Sequence, residues 1–198
     1  MAKIMNWPDF ERKISQSRIV IFSPLDLKRL FGVSKTAISF FVHRYAKKGL
    51  LIKLKRGMYC LASRQPNEFY LANKLYEPSY ISFEQALSYW QVIPETVYTL
   101  TCATTKATRS IKSLNRVFAY HRIKKEAFTG YKQQKIVGQT VLVAEPEKAL
   151  ADYLYFVVLK KKKRPDRYDK GKINKTKTIR LAKLFKNKEL IDLIDEIL

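Results

Sequence analysis

Cysteine, histidine and glycine are all scarce in this sequence of 198 residues. The two cysteines, Cys60 and Cys102, are far apart and form no C-x-x-C pair, which excludes a disulfide scaffold and a cysteine zinc module and fits a reducing compartment. Two histidines, His43 and His121, are too few for a histidine-built metal site. The six glycines form none of the common nucleotide-binding or serine-hydrolase motifs. We therefore expect no metal, no cofactor and no catalytic residues.

Long apolar runs are also missing. The longest, residues 153–159, is far shorter than the ~20 residues that a membrane-spanning helix needs, and the N-terminus has no basic-then-apolar export signal. We expect a cytoplasmic protein that does not bind membranes. Apolar residues nevertheless make up 46% of the chain, which is enough to bury a core and excludes disorder throughout.

Acidic residues are few, and the basic residues are concentrated in two segments. The chain has 39 Lys and Arg against 17 Asp and Glu, a net charge of +22. Residues 1–61 contain 13 basic and 3 acidic residues, and residues 159–188 contain 14 and 2, whereas residues 62–158 are closer to balance with 12 and 8. A folded chain this basic is expected to bind a polyanion, with nucleic acid as the first candidate and an anionic membrane surface as the second.

Capping residues near the N-terminus predict a helix-turn-helix. Ser23 is a favourable N-cap for a helix over residues 24–31, which ends at Gly32. Ser34 then caps a further helix over residues 35–48. Two short helices joined by a glycine turn are typical of this DNA-binding motif.

A predicted β-hairpin follows the helix-turn-helix directly. Residues 50–54 and 58–61 have strand composition and are joined by a turn that contains Gly57. The hairpin corresponds to the wing of a winged helix, so residues 1–62 are predicted to form a winged helix-turn-helix DNA-binding domain. The alternative is a winged helix used only for protein contacts. The basic charge of this segment argues against that alternative.

The helix at 35–48 has one apolar stripe, in which Ile38, Phe41, Val42 and Tyr45 are spaced i, i+3, i+4 and i+7. The opposite face is therefore free to enter a major groove. The predicted DNA-binding residues lie on that face and near the hairpin tip: Lys35, Thr36, Ser39, Phe40, His43, Arg44, Lys47, Lys53, Lys55 and Arg56.

The rest of the chain is predicted to be α+β. Residues 67–159 carry helix signals after Asn67, Ser82 and Glu145, with strands at 97–102, 109–113, 117–123, 134–137 and 139–144. We expect helices around a mostly antiparallel sheet. Residues 160–198 are predicted to form a basic loop and two C-terminal helices that pack on this domain or on a second copy. The fold class is thus a winged helix-turn-helix, a mixed helix and antiparallel-sheet domain, and C-terminal helices.

Five short motifs follow one another along the first 159 residues. They are RGMY at 56–59, PSYISFEQALSYW at 78–90, IPE at 93–95, TTKATR at 104–109 and AEPEKALAD at 144–152. In this order they resemble the AbiEi-type antitoxins of abortive-infection, type IV toxin–antitoxin systems. The resemblance implies a winged helix that represses its own operon at inverted repeats, a second domain that counteracts a nucleotidyltransferase toxin, and no enzymatic activity.

A polar, cationic turn between two predicted strands is a candidate functional surface of the second domain. In the functional interpretation this turn contacts phosphate. In the structural alternative its hydroxyl groups form hydrogen bonds with the backbone of the same loop. Its residues are Thr104, Thr105, Lys106, Thr108 and Arg109. The basic run at 160–164 is interpreted as a mobile linker, as a source of nonspecific DNA affinity, or as a contact for an acidic partner.

Three other functions stay open at this point. Asp9, Asp26 and Lys28 imitate the PD…D-x-K pattern of metal-dependent nucleases, although Asp26 falls at a helix start rather than on a strand. The second alternative is a toxin neutraliser that acts only by protein contact. The third is a stand-alone regulator without a toxin. Since specific recognition usually needs two half-sites, a homodimer or two monomers on an inverted repeat are expected.

Overall fold

The computed structural model describes residues 5–95, 97–164 and 167–198. These residues form two compact units divided between Pro66 and Asn67. Within the described ranges, no helix has the length and apolarity that a bilayer span requires. The α+β class predicted from the sequence is confirmed, with helices first, strands in sheets next and helices again at the C-terminal end.

Unit 1 begins with three helices whose ends are set by side-chain caps. They are α1 (Trp7–Gln16), α2 (Pro24–Phe31) and α3 (Lys35–Lys47). At the start of α2, the Ser23 hydroxyl accepts from the Asp26 amide and the Asp26 carboxylate accepts from the Ser23 amide at 2.8 Å, a reciprocal capping box. Gly32 ends α2 with φ +64°, a conformation that favours glycine. These local signals explain why the bounds of α2 could be predicted.

The wing follows α3 as predicted. Strand β1 (Leu51–Lys55) pairs antiparallel with β2 (Met58–Leu61), with Leu51 opposite Leu61. Phe22 adds a short bridge on the outer side of β2, where its amide and carbonyl both bond to Tyr59 at 2.9 Å. Helices and hairpin together form a winged helix.

Aromatic rings fill the core of unit 1. Phe10 is fully buried, and its ring centroid lies 4.8 Å from that of Phe41 and 5.6 Å from that of Phe31. Burial of each such side chain contributes about 1.5–3 kcal/mol. Arg64 closes the unit, because its guanidinium donates to the Ser17 carbonyl at 3.0 Å beyond the end of α1.

Unit 2 is built on one six-stranded sheet. Its described strands are β3 (Ser79–Ile81), β4 (Leu100–Thr104), β5 (Arg109–Ser113), β6 (Arg116–Arg122), β7 (Tyr131–Ile136) and β8 (Gln139–Ala144). Their order is β5-β6-β4-β3-β8-β7. The sheet is mostly antiparallel, as predicted, but β4 with β6 and β3 with β8 are parallel.

The central strand β3 is absent from the sequence prediction. It has three residues, all buried, too few for the alternation that marks a strand in a sequence. It pairs with β4 on one side, where Ser79 lies opposite Thr104, and with β8 on the other, where Ile81 lies opposite Val143. Pairing partners distant in sequence, and not local propensity, make this segment a strand.

Unit 2 has five described α-helices. They are α4 (Glu68–Leu75), α5 (Phe83–Tyr89), α6 (Pro146–Val158), α7 (Lys175–Lys183) and α8 (Lys188–Ile197), with short 3₁₀ turns at Lys125–Ala127 and Lys170–Lys172. Helices α5, α7 and α8 pack against α6, and α4 packs on the sheet. Nine of the thirteen residues of α6 are buried, because neighbours surround it on several sides.

A buried polar cluster joins α6 to the sheet. The Asp152 carboxylate accepts hydrogen bonds from the Tyr80 hydroxyl at 2.9 Å and from the Ser82 hydroxyl at 2.6 Å. The prediction that Ser82 caps α5 through its side chain is therefore wrong. An unpaired buried charge has a large free-energy cost, so the Asp152 carboxylate must be hydrogen-bonded. The Ser82 hydroxyl bonds to it instead of capping α5.

Candidate nucleic-acid interface

Helix α3 divides sharply into a buried and an exposed face. Ile38, Phe41 and Val42 pack into the core of unit 1. Phe40, on the opposite face, is 71% exposed, which is unusual for a large apolar side chain. The seven predicted DNA-binding residues of α3 are all exposed: Lys35, Thr36, Ser39, Phe40, His43, Arg44 and Lys47. One helix thus presents a continuous outer face of hydroxyl, aromatic and basic side chains.

The hairpin adds cations beside α3. Lys53 and Arg56 are exposed, and Lys55 is half-buried at the end of β1. Lys53 lies opposite Tyr59 in the hairpin register. The basic tip that the sequence predicts is therefore present, with Lys55 less accessible than its two neighbours.

The carboxylates of unit 1 do not neutralise this surface. Residues 1–61 contain three acids, and each is engaged on α1 or α2. Asp9 pairs with Arg12 at 2.6 Å, Glu11 accepts from the Trp7 indole at 2.9 Å, and Asp26 accepts from Ser23. Neither α3 nor the hairpin carries an acidic residue, so their surface is purely cationic and suits a polyanion.

Residues 9–62 match a family model described as transcriptional regulator, AbiEi antitoxin. The N-terminal unit is similar to this family of antitoxin regulators. The match covers little more than a quarter of the chain, and residues 63–198 lie outside it. No curated protein matches the chain.

Tyr45 and Lys48 were not grouped with the site from the sequence, although Arg44 beside them was. The half-buried Tyr45 ring of unit 1 lies 4.7 Å from the Trp7 ring, and it is flanked by the Arg44 guanidinium at 5.8 Å and the Lys48 ammonium at 5.6 Å. Lys48 is exposed at the C-cap of α3. Its position directly after Lys47 was the signal that identifies it as a further cation at this end of the helix.

Asp9 and Asp26 have structural positions in unit 1. Both lie in the first turn of a helix, and neither lies on a strand. Asp26 is occupied by the capping box and Asp9 by Arg12. A metal-dependent nuclease needs its acidic residues together around a metal ion. The local contacts of Asp9 and Asp26 explain their presence in the sequence without a nuclease site.

The second predicted surface, in unit 2, is only partly a surface. Thr104 is fully buried, and its hydroxyl donates to the Pro78 carbonyl at 2.7 Å, so its assignment to an exposed site is wrong. Lys106 and Arg109 are exposed, and their charged groups lie 5.5 and 5.6 Å from the centroid of the Tyr76 ring. The remaining two threonines, Thr105 and Thr108, line an open cleft instead.

Proposed function

We propose that this chain is a DNA-binding regulator that represses its own operon at inverted repeats and acts as the antitoxin of a type IV toxin–antitoxin system. The exposed outer face of α3, which carries basic residues and no acid within an AbiEi-type unit, is the observation that supports it most strongly. Winged helices that bind DNA place this helix in the major groove and the hairpin against the flanking backbone.

Base contacts are assigned to the N-terminal half of α3. Lys35, Thr36 and Ser39 lie where side chains of a recognition helix meet base edges. Phe40 suits the methyl group of thymine, because its ring is apolar and exposed, and His43 is placed to reach a base or a phosphate. Together these residues offer hydrogen-bonding and apolar contacts to one stretch of groove.

Phosphate contacts are assigned to the cations around this half-helix. Arg44 and Lys47 lie farther along α3. Lys53, Lys55 and Arg56 lie in the hairpin. Contacts of this kind fix the register of the protein on the duplex and carry no sequence information themselves.

Unit 2 is assigned the contact with a nucleotidyltransferase toxin. Two copies of the chain, as a homodimer or as two bound monomers, would occupy the two halves of an inverted repeat. We assign no enzymatic step to either unit. Support for the toxin partner comes from the family of the N-terminal unit alone.

A footprint on the DNA upstream of the chain's own gene tests this function. We expect two protected half-sites whose centres are separated by about 10 base pairs or a multiple of that spacing. If about 6–10 phosphates are contacted, affinity should fall by about 10³–10⁵ between about 50 and 200 mM salt. Absence of protection together with a flat salt response would contradict DNA binding.

Co-expression with the product of the neighbouring gene tests the antitoxin assignment separately. A nucleotidyltransferase there, whose toxicity the full chain relieves, supports that assignment. DNA protection without any toxin beside the gene leaves a stand-alone regulator and overturns the antitoxin half of the proposal.

A further inference from the structure

Unit 2 contains a cationic cleft of about 650 Å³, which lies within the size range of small-ligand sites. Its walls come from three regions of the sequence: the turn after β4, the end of β6 with the residues that follow it, and the C-terminal end of α6 with the segment after it. Its polar lining residues are Thr105, Thr108, Arg122, Lys124, Lys125 and Lys161. Among the residues that the structure describes, no Asp or Glu lines it.

Three of the four cations have no carboxylate partner in the part of the chain that the structure describes. Among the described residues, Arg122, Lys125 and Lys161 form no ion pair with a carboxylate. Lys124 differs, because its ammonium donates to the Phe185 carbonyl at 2.5 Å and so helps to hold the segment between α7 and α8. Gathering like charges in a concavity is unfavourable by itself, and an anionic ligand would relieve that repulsion.

The two threonines complete the polar lining. The Thr108 hydroxyl accepts from the Arg122 amide at 3.1 Å, which leaves its own hydrogen for an acceptor on a ligand. Thr105 is half-buried in the same turn. Tyr155, Phe156 and Leu159 supply the apolar part of the lining, so charges in the cleft are less well screened than on an open surface.

We propose that this cleft binds consecutive phosphoryl groups, such as those of a nucleoside triphosphate or a nucleic-acid strand. Arg122 suits two oxygens of one phosphoryl group, because a guanidinium donates in a planar fork. Lys125 and Lys161 act as point charges for neighbouring groups. The Thr108 hydroxyl adds a neutral donor. This site lies in unit 2 and does not depend on DNA binding by unit 1.

The test compares the full chain with two triple variants of equal charge. R122Q/K125Q/K161Q removes the unpaired cations of the cleft. K135Q/K183Q/K186Q removes three exposed lysines that do not line it, and so controls for the general charge of the protein. Inorganic triphosphate, ATP and a short duplex of random sequence are titrated separately by calorimetry at low salt, and circular dichroism checks that each variant is folded.

We expect triphosphate or duplex affinity to fall about tenfold or more in the cleft variant, since each lost charge-assisted hydrogen bond is a large fraction of such binding. The control should change less than about twofold for triphosphate. If the cleft variant loses affinity for triphosphate and ATP, the phosphoryl groups that bind the cleft belong to a free nucleotide. If it loses affinity for the duplex alone, they belong to a nucleic-acid strand. Equal losses in both variants, or no binding of triphosphate and ATP together with unchanged duplex affinity in the cleft variant, would overturn the proposal, and neither result bears on the operator footprint.

Discussion

The Lys148 ammonium lies 2.5 Å from a carboxylate oxygen of Asp152, one turn along α6, with both side chains completely buried. The other Asp152 oxygen accepts from Tyr80 and Ser82, and Lys148 also lies 4.5 Å from the centroid of the Phe185 ring. Burial raises the pKa of the Asp152 carboxyl, and the Lys148 charge together with the two hydroxyl donors opposes that rise. The Asp152–Lys148 pair therefore connects β3, α6 and the segment between α7 and α8.

Replacing Asp152 with Ala should destabilise the protein strongly. The change leaves Lys148 as an unpaired buried charge, for which the expected loss is about 3–5 kcal/mol in the free energy of unfolding. Urea unfolding measures it, with E77A as the control because Glu77 pairs with Lys74 at the surface, where about 0–1 kcal/mol is expected. If D152A does not fold, D152N replaces it in the same comparison. A loss no larger than that of E77A would contradict the role of the cluster.

A second prediction concerns the stability of the folded protein at acidic pH. His121 is half-buried between the rings of Phe83 and Phe156, with centroids 5.0 and 5.2 Å away. Burial, and then the charge of Lys162, lowers the pKa of His121 to about 4 from 6.5. The unfolded chain therefore binds a proton at His121 more readily than the folded chain does. The stability contributed by neutral His121 is complete above pH 6.5 and is lost as pH falls towards 4.

We expect the loss to be about 2 kcal/mol, less than the full shift implies because the ring is partly exposed. The melting temperature of the wild type and of H121Q, followed across this pH range, measures it. The variant should lose less stability on acidification than the wild type. Parallel curves for the two proteins would show that His121 does not couple folding to pH.

Two turn glycines provide a matched pair for a third prediction. Gly130 and Gly138 have nearly the same φ, +75° and +72°, but a Cβ at Gly130 would lie 3.1 Å from Lys148 and Leu181, whereas a Cβ at Gly138 would meet open space. Ala at either position strains the backbone by about 1 kcal/mol. G130A should lose about 1–3 kcal/mol more, because it also overpacks against the buried Lys148 stem. Equal losses in chemical denaturation would contradict this packing.

The parts of the fold that could be predicted are those with local causes. The bounds of α2 follow from Ser23 and Gly32, and the wing follows from two strand-like runs around Gly57. Ser82 carried an equally good local signal, yet its hydroxyl bonds to Asp152, which is 70 residues away in the sequence. Strand β3 could not be found for the same reason, since its partners are distant.

The same distinction applies to the candidate sites. The outer face of α3 could be identified because helical periodicity separates it from Ile38 and Phe41. The cleft of unit 2 was missed, although Thr105 was singled out, because Lys161 and Arg122 join it only through the fold. The closely spaced cations at 122, 124 and 125 were the available signal. Thr104 was assigned wrongly because it is buried at the end of β4, whereas Lys106, Thr108 and Arg109 in the same motif are exposed.

A fourth prediction separates DNA binding from DNA cleavage. In D26N the carboxylate that accepts from Ser23 is replaced by an amide, so the capping box weakens and stability should fall by about 1 kcal/mol. DNA affinity should stay within about twofold, since Asp26 carries no contact of the proposed interface. Supercoiled plasmid incubated with Mg²⁺ should remain intact with wild type and variant alike. Nicking by the wild type that D26N abolishes would favour the nuclease.

Affinity for the chain's own upstream DNA, measured for K35Q/R44Q across a range of salt concentrations, tests the central claim most directly. K183Q/K186Q has the same net charge, and its changes lie in unit 2. We predict that K35Q/R44Q weakens binding by about 1–3 kcal/mol and reduces the salt slope by about 1–2, whereas K183Q/K186Q leaves affinity within about threefold. Equal behaviour of the two folded variants, or unchanged binding by K35Q/R44Q, would contradict recognition of DNA by the outer face of α3.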